Sequence, residues 1–241
     1  MQHPTVEKLF KEQAKYYSRI DQSAANSPII SLLVKWAEKK NPKNLLKICE
    51  FGGGGGLLLS EIKKLAKFKV ELSNIELINA YKKYQVSSDI KFYQGSILSS
   101  KFPDQSFDCL IIRDVLHHLI GENFSKTRKN QETALKELKR LVRPGGAIFI
   151  EELVNQSGFA SKIIYLLSKL NSKIGVRIQR LEITPNTVVC FLSPKILKNL
   201  INSIFGSKKI LKEVYLPAKH WQARVVHLGC GSGKLVLMIK G

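Results

Sequence analysis

The stretch Ile48-Cys49-Glu50-Phe51-Gly52-Gly53-Gly54-Gly55-Gly56 decides how this chain is read. A short apolar run at 45–49 leads into five consecutive glycines. GLLLSEIKKLAKF follows, with Leu58, Ile62, Leu65 and Ala66 on one helical face. The pattern is strand, glycine turn, helix. Glycine tolerates positive φ and has no side chain to keep a ligand away from the backbone. The helix that follows offers free N–H groups and the positive end of its dipole.

The same rhythm extends outward. Residues 5–20 and 27–40 read as amphipathic helices, the second with Ile30, Leu33, Val34 and Ala37 at helical spacing. Strands are expected at 68–72, 90–93, 107–112 and 147–153, with helices at 75–85 and 130–141 between them. Pro144-Gly145-Gly146 reads as a turn before the strand at 147–153. Strands alternating with helices predict an α/β fold with a mostly parallel sheet covered on both faces. After residue 154 the rhythm changes. An apolar helical stretch at 161–170 and a basic segment at 173–180 precede a helix at 194–205 and strands at 209–216 and 234–240. Residues 155–193 therefore read as an insert packed over the sheet.

Composition sets the outer bounds. The 241 residues suit one large domain, here 1–241. A 44% hydrophobic content and a mean hydropathy of −0.07 exclude disordered and fibrous classes. Lys+Arg number 39 and Asp+Glu 19, a formal charge of +20, and 31 of the 39 are Lys. That excess leaves nucleic acid, membrane surfaces and anionic substrates open as partners. Cys49, Cys109, Cys190 and Cys230 form no CxxC pair, so buried thiols are expected in place of disulfides or a metal site. There is no long uncharged apolar run and no secretory h-region at the start. A cytoplasmic location is the expectation.

The glycine turn alone fits several nucleotide cofactors. Glu50 narrows them, because a carboxylate just before the glycines repels a pyrophosphate and suits an ammonium. S-adenosylmethionine carries an α-amino group and no phosphate. An acid at the end of the next strand binds a ribose diol, and Glu71, 17 residues after Gly54, stands near the ~20 expected for that role. A second glycine cluster, Gly229-Cys230-Gly231-Ser232-Gly233, reads as the turn into the last strand.

At this point the chain resembles the class I S-adenosylmethionine-dependent methyltransferases of type 11/25. Glu50-x-Gly52-x-Gly54-x-Gly56 looks like their first motif. Val70-Glu71-Leu72-Ser73 resembles the second-strand motif. Phe102-Pro103-Asp104-Gln105-Ser106-Phe107-Asp108 with Val115-Leu116-His117-His118-Leu119 is similar to the fourth-strand region. Leu138-x-x-Leu141-Val142-x-Pro144-Gly145-Gly146 resembles the approach to the fifth strand. The resemblance covers residues 45–153. It implies a Rossmann-like, seven-stranded, mostly parallel sheet whose last strand is antiparallel. It implies Glu50, Gly52, Gly54, Gly56, Glu71, Leu72, Gly95, Ser96, Arg113 and Tyr17 as cofactor contacts and no metal. Gly95-Ser96 departs from the Gly-Asp common after the third strand, where Asp reaches the adenine.

Residues 1–44 are implied to form a helical lid that brings Tyr16 or Tyr17 over the cofactor. His117 and His118, just past the fourth strand, are the candidates for deprotonating an acceptor. Glu151 and Glu152 read as solvated rim acids, and His220 and Trp221 as candidate pocket lining. The apolar Phe159, Ile163, Ile164, Tyr165 and Leu167 predict a roof over a small-molecule acceptor that is apolar or aromatic. The alternatives are an RNA methyltransferase, from the charge, and a non-catalytic cofactor-binding partner protein, from the missing adenine Asp.

Overall fold

The computed structural model describes residues 11, 14, 21–40, 44–181, 183, 185 and 187–241. The helix expected at 5–20, with Tyr16 and Tyr17, lies almost entirely outside the described residues. Seven strands form one sheet: β1 Leu46–Phe51, β2 Val70–Glu76, β3 Ile90–Gln94, β4 Phe107–Arg113, β5 Val142–Asn155, β6 Ile210–Pro217 and β7 Ser232–Lys240. Their order is β3-β2-β1-β4-β5-β7-β6. The first five strands pair in parallel, and β7 runs antiparallel between β5 and β6. This is the Rossmann-like, seven-stranded arrangement expected from the sequence.

Helices cover both faces. On one face, α1 (Pro28–Lys40) and α2 (Leu57–Leu65) bury Ile29, Leu33, Leu58, Leu59 and Ile62 against Ile48, Ile111 and Phe149. On the other, α3 (Phe124–Leu141) and α5 (Pro194–Phe205) bury Leu135, Leu138, Leu197 and Ile201 against Phe51, Leu110, Ile112 and Ile150. Burial on both faces explains why β4 reads as an almost unbroken apolar run. Two further helices, α4 (Gly158–Ile174) and α6 (Trp221–Val226), lie outside these layers.

Local chemistry moved several boundaries. α3 starts six residues earlier than its apolar pattern suggested, because Asn123 caps it by accepting from the Lys126 N–H at 2.9 Å. Ser157 and Ser193 cap α4 and α5 in the same way. β2 continues to Glu76 where a helix was expected from residue 75, and only a 3-10 turn follows at Asn79–Tyr84. Pro144-Gly145-Gly146 belongs to β5, as an irregularity beside the register shift between Phe107 and Cys109. Gly229-Cys230-Gly231 leads into β7, as read from the sequence.

Candidate cofactor and acceptor site

The glycine turn connects the carboxyl end of β1 to α2, with φ positive at Gly52, Gly54 and Gly56. Gly53 and Gly55 are needed for space. A Cβ on Gly53 would stand 2.6 Å from Glu50 Oε2 and 2.8 Å from Asn74 Oδ1. On Gly55 it would stand 2.6 Å from the Tyr84 carbonyl oxygen. The five glycines thus form a fitted turn, in which neither Gly53 nor Gly55 has room for a side chain.

Glu50 and Asn74 are register partners on β1 and β2. Both are buried. Asn74 Nδ2 donates to the Gly54 carbonyl at 2.8 Å, while Glu50 Oε2 and Asn74 Oδ1 have no hydrogen-bond partner among the described residues. Burial, then the charges of Glu76 and Glu151, push the Glu50 carboxyl up to about 8. Two unpartnered buried acceptors beside a glycine turn are a vacancy in hydrogen bonding that suits a cationic donor.

Glu76 closes the turn on the β2 side. Its Oε2 accepts from Gly54 N at 3.1 Å and its Oε1 from Ile78 N at 3.3 Å. Burial raises this carboxyl, and the backbone N–H groups partly offset that. Glu71, the expected ribose acid, is not brought to the turn. It lies five residues back, beside Lys47 in register, and pairs with Lys91 at 3.0 Å. Leu72 is buried in the core with Ile48 and Ile90. Gly95 N donates to the Glu76 carbonyl at 3.0 Å, so Gly95 and Ser96 do flank that corner. The Ser96 hydroxyl accepts from Leu98 N.

The carboxyl ends of β4 and β5 carry two polar clusters. In the first, Lys234 of β7 donates to Asp114 at 2.7 Å and to Glu151 at 2.9 Å. The Ser27 hydroxyl also donates to Glu151. Arg113 lies largely buried beside Asp114, whose φ is +53°. Burial lowers the Lys234 pKa, but the two carboxylates more than offset it, so the net shift is upward. In the second cluster, Glu152 accepts from Leu116 N at 2.8 Å and holds His117 Nδ1. Burial pulls His117 down, but Glu152 outweighs it through charge and hydrogen bond, and the imidazole titrates above its usual value. His118, its ring 4.0 Å away, is pushed well down by burial and by His117.

Glu151 and Glu152 are thus buried and paired, not solvated rim acids. Ser27 and Lys234, from remote segments that sequence spacing did not single out, hold Glu151, and His117 holds Glu152. Phe191 stacks 5.3 Å from His117 and 4.6 Å from His227, which Asn155 holds through its carbonyl at 3.3 Å. Burial, then His117, lowers His227 to about 4. In the insert, Tyr165 packs with Ile120, Val188 and Cys190 and Ile164 is buried, while Phe159 and Leu167, expected to face an acceptor, face solvent. His220 and Trp221, expected as candidate pocket lining, are also exposed.

A family model described as a methyltransferase domain matches residues 49–150. The chain is 24% identical over 175 residues to the uncharacterized methyltransferase YcgJ of Bacillus subtilis, covering 72% of this chain and 65% of that one. It is 30% identical over 113 residues to the ubiquinone/menaquinone biosynthesis C-methyltransferase UbiE of Hahella chejuensis, covering 44% and 42%. The chain therefore spans less than two thirds of the length of both. The crystal structure of YcgJ superposes with a TM-score of 0.59 at 16% identity, over 88% of this chain and 97% of that one. An arsenic(III) S-adenosylmethionine methyltransferase from Chlamydomonas reinhardtii superposes at 0.56 with 15% identity, over 80% and 63%. The matched segment carries Glu50, the glycine turn, Glu76 and His117, on or beside the parallel strands of the sheet. Residues 49–150 of this chain are thus similar to a methyltransferase domain, and the whole sheet has the fold of the YcgJ structure.

Proposed function

We propose that the chain transfers a methyl group from S-adenosylmethionine to a small, apolar or aromatic acceptor. The observation that carries this is the unpartnered, buried Glu50 carboxyl between Gly53 and Asn74. The residues fit the cofactor. Glu50 and Asn74 offer acceptors to its α-ammonium, and the glycine turn lets backbone approach it. Glu76, at the end of β2, takes the ribose hydroxyls, the role the sequence had suggested for Glu71. When bound, the cofactor supplies an electrophilic methyl on a sulfonium, so the protein contributes chiefly proximity and orientation.

His117 supplies a base for an acceptor that must lose a proton. Glu152 accepts from Nδ1–H, which leaves Nε2 to receive the proton, and its charge stabilises the imidazolium that forms. His118 stays neutral and packs against it. The rings of Phe191 and His227 beside His117 favour an apolar or aromatic acceptor over a highly charged one. Calorimetric titration with S-adenosylmethionine tests the premise, and absence of binding at millimolar cofactor would refute it. Transfer of labelled methyl into fractionated cell extract tests the acceptor class. Label confined to small molecules supports the reading, whereas label in RNA or protein replaces it.

A further inference from the structure

Helix α4 shows an apolar face to solvent. Ala160, Ser161, Ile164 and Tyr165 are its buried side. Phe159, Leu166, Leu170 and Ile174 recur at helical spacing on the opposite side and are 75%, 53%, 51% and 63% exposed. Lys162 and Lys173 are exposed on that same side. The chain runs on from Ile174 through exposed Ile178 to Arg180, whose guanidinium lies 5.0 Å from the Trp221 ring centre. Trp221 is itself 48% exposed.

The charge on and near this stripe is predominantly positive, with Glu122 beside Lys169 and Glu182 next in sequence as the nearby acids. Residues 156–181 contain Lys162, Lys169, Lys173, Arg177 and Arg180 and no Asp or Glu. Residues 214–241, which carry Trp221, also contain no acid. Three occupants are conceivable for an exposed apolar face of this kind. A second copy would set five cations of one chain against the same five of the other, with only Glu122 and Glu182 near to pair them. RNA would meet a row of aliphatic side chains that neither stack on bases nor hydrogen-bond. An anionic lipid surface matches both halves: aliphatic side chains enter the headgroup–acyl boundary, Trp sits at the interface, and Lys and Arg reach the phosphates.

We propose that α4 and the Arg180–Trp221 edge form a docking surface for a membrane rich in anionic phospholipid. This goes beyond the methyltransferase reading and holds whatever the acceptor is. The buried side of α4 packs with Cys190, whose N–H donates to the His117 carbonyl at 2.9 Å. Docking would thus place the histidine cluster about one helix diameter, ~10 Å, behind the lipid surface.

Sedimentation of the full chain with vesicles is the test. Phosphatidylcholine vesicles containing about a third phosphatidylglycerol, at about 0.1 M salt, should bind it at least ~10-fold more tightly than pure phosphatidylcholine. The triple variant Leu166→Ser, Leu170→Ser, Ile174→Ser and the double variant Lys162→Glu, Lys173→Glu should each lose roughly tenfold in binding. All these side chains are exposed, and unchanged cofactor affinity confirms that the variants are folded. No binding of the wild-type chain to anionic vesicles overturns the proposal. So does binding that the serine variant leaves intact, or lipid-free self-association that it abolishes.

Discussion

Glu50 and Asn74 face each other across the parallel register of β1 and β2, each with a buried side-chain oxygen that no described group satisfies. Removing such acceptors from water costs free energy that only an incoming donor recovers. The arrangement makes this corner a poor place for an unpaired charge and a good one for an ion pair.

Proton release on cofactor binding follows. With its carboxyl near 8, Glu50 is about nine-tenths protonated at pH 7. An ammonium in its place favours the carboxylate, so the proton leaves. Calorimetric titration at pH 7 in two buffers of different ionisation enthalpy should show close to one proton released per cofactor, falling toward zero at pH 9. An enthalpy independent of buffer at pH 7 would contradict this.

The same group sets a pH dependence of stability. Folded Glu50 keeps its proton to about 8 against an ordinary 4.5, so the native chain binds more protons between those values. Its contribution to stability therefore falls as pH rises through that window. Glu50→Gln, which carries no charge at any pH, should raise the Tm of the cofactor-free protein by about 5 °C at pH 9 and by little at pH 4.5. Equal melting curves at pH 9 would remove Glu50 as a buried anion. The variant should also bind cofactor at least ~100-fold more weakly.

Gly53→Ala adds one methyl group within 2.6 Å of Glu50 Oε2. The carboxyl must swing away from Asn74, and cofactor affinity should fall at least tenfold, about 1.4 kcal/mol. Gly55→Ala instead meets the Tyr84 backbone, which cannot move aside cheaply. Its main loss should appear in the urea midpoint. A reversed pattern, with Gly53→Ala the unstable one, would show that Glu50 is free to move.

Glu152→Gln keeps an acceptor for Leu116 N but removes the charge beside His117. Burial then dominates His117 and lowers its pKa. The acid limb of the kcat/KM profile should move to lower pH and the maximal rate should fall about 100-fold, with cofactor affinity unchanged. A limb that stays in place would separate His117 from the proton transfer.

Lys234→Met takes from buried Glu151 its salt-bridged ammonium and leaves the Ser27 hydrogen bond. The expected loss is about 3 kcal/mol in urea unfolding. Adding Glu151→Gln should return much of it, because the orphaned charge is then gone. Additive losses would mean that the pair is not coupled.

The parts of the site that lie in one continuous stretch were legible from the sequence. Glu50 and the glycines announce strand, turn and helix together, and His117 follows a strand apolar enough to be unmistakable. Glu76 was not, because buried Ser73 and Asn74 interrupt the apolar run of β2. That interruption makes Ile75 look like the start of a helix and shifts the acid at the strand end to Glu71. Their burial has its reason in the turn, where Asn74 holds Gly54. Glu151 and Glu152 looked solvated for a similar reason. A carboxylate ending a strand is ordinarily wet, and what dries these two comes from Ser27, His117 and Lys234, none of which is near in sequence to both acids. His227 carried no local signal, since only the fold brings it to Phe191 and Asn155.

The place of β7 between β5 and β6 fixes the order in which the site is finished. Lys234 stands 120 residues after Asp114 and 83 after Glu151. While the chain leaves a ribosome, β1 to β5 can pair as they emerge. Until β7 inserts, β5 remains an open edge with an unneutralised acid at its end. The Lys234–Asp114–Glu151 cluster and the outermost sheet pairing thus become complete in a single late event. A nascent chain stalled before residue 232 would hold all of the matched segment 49–150 and still leave Asp114 and Glu151 without Lys234.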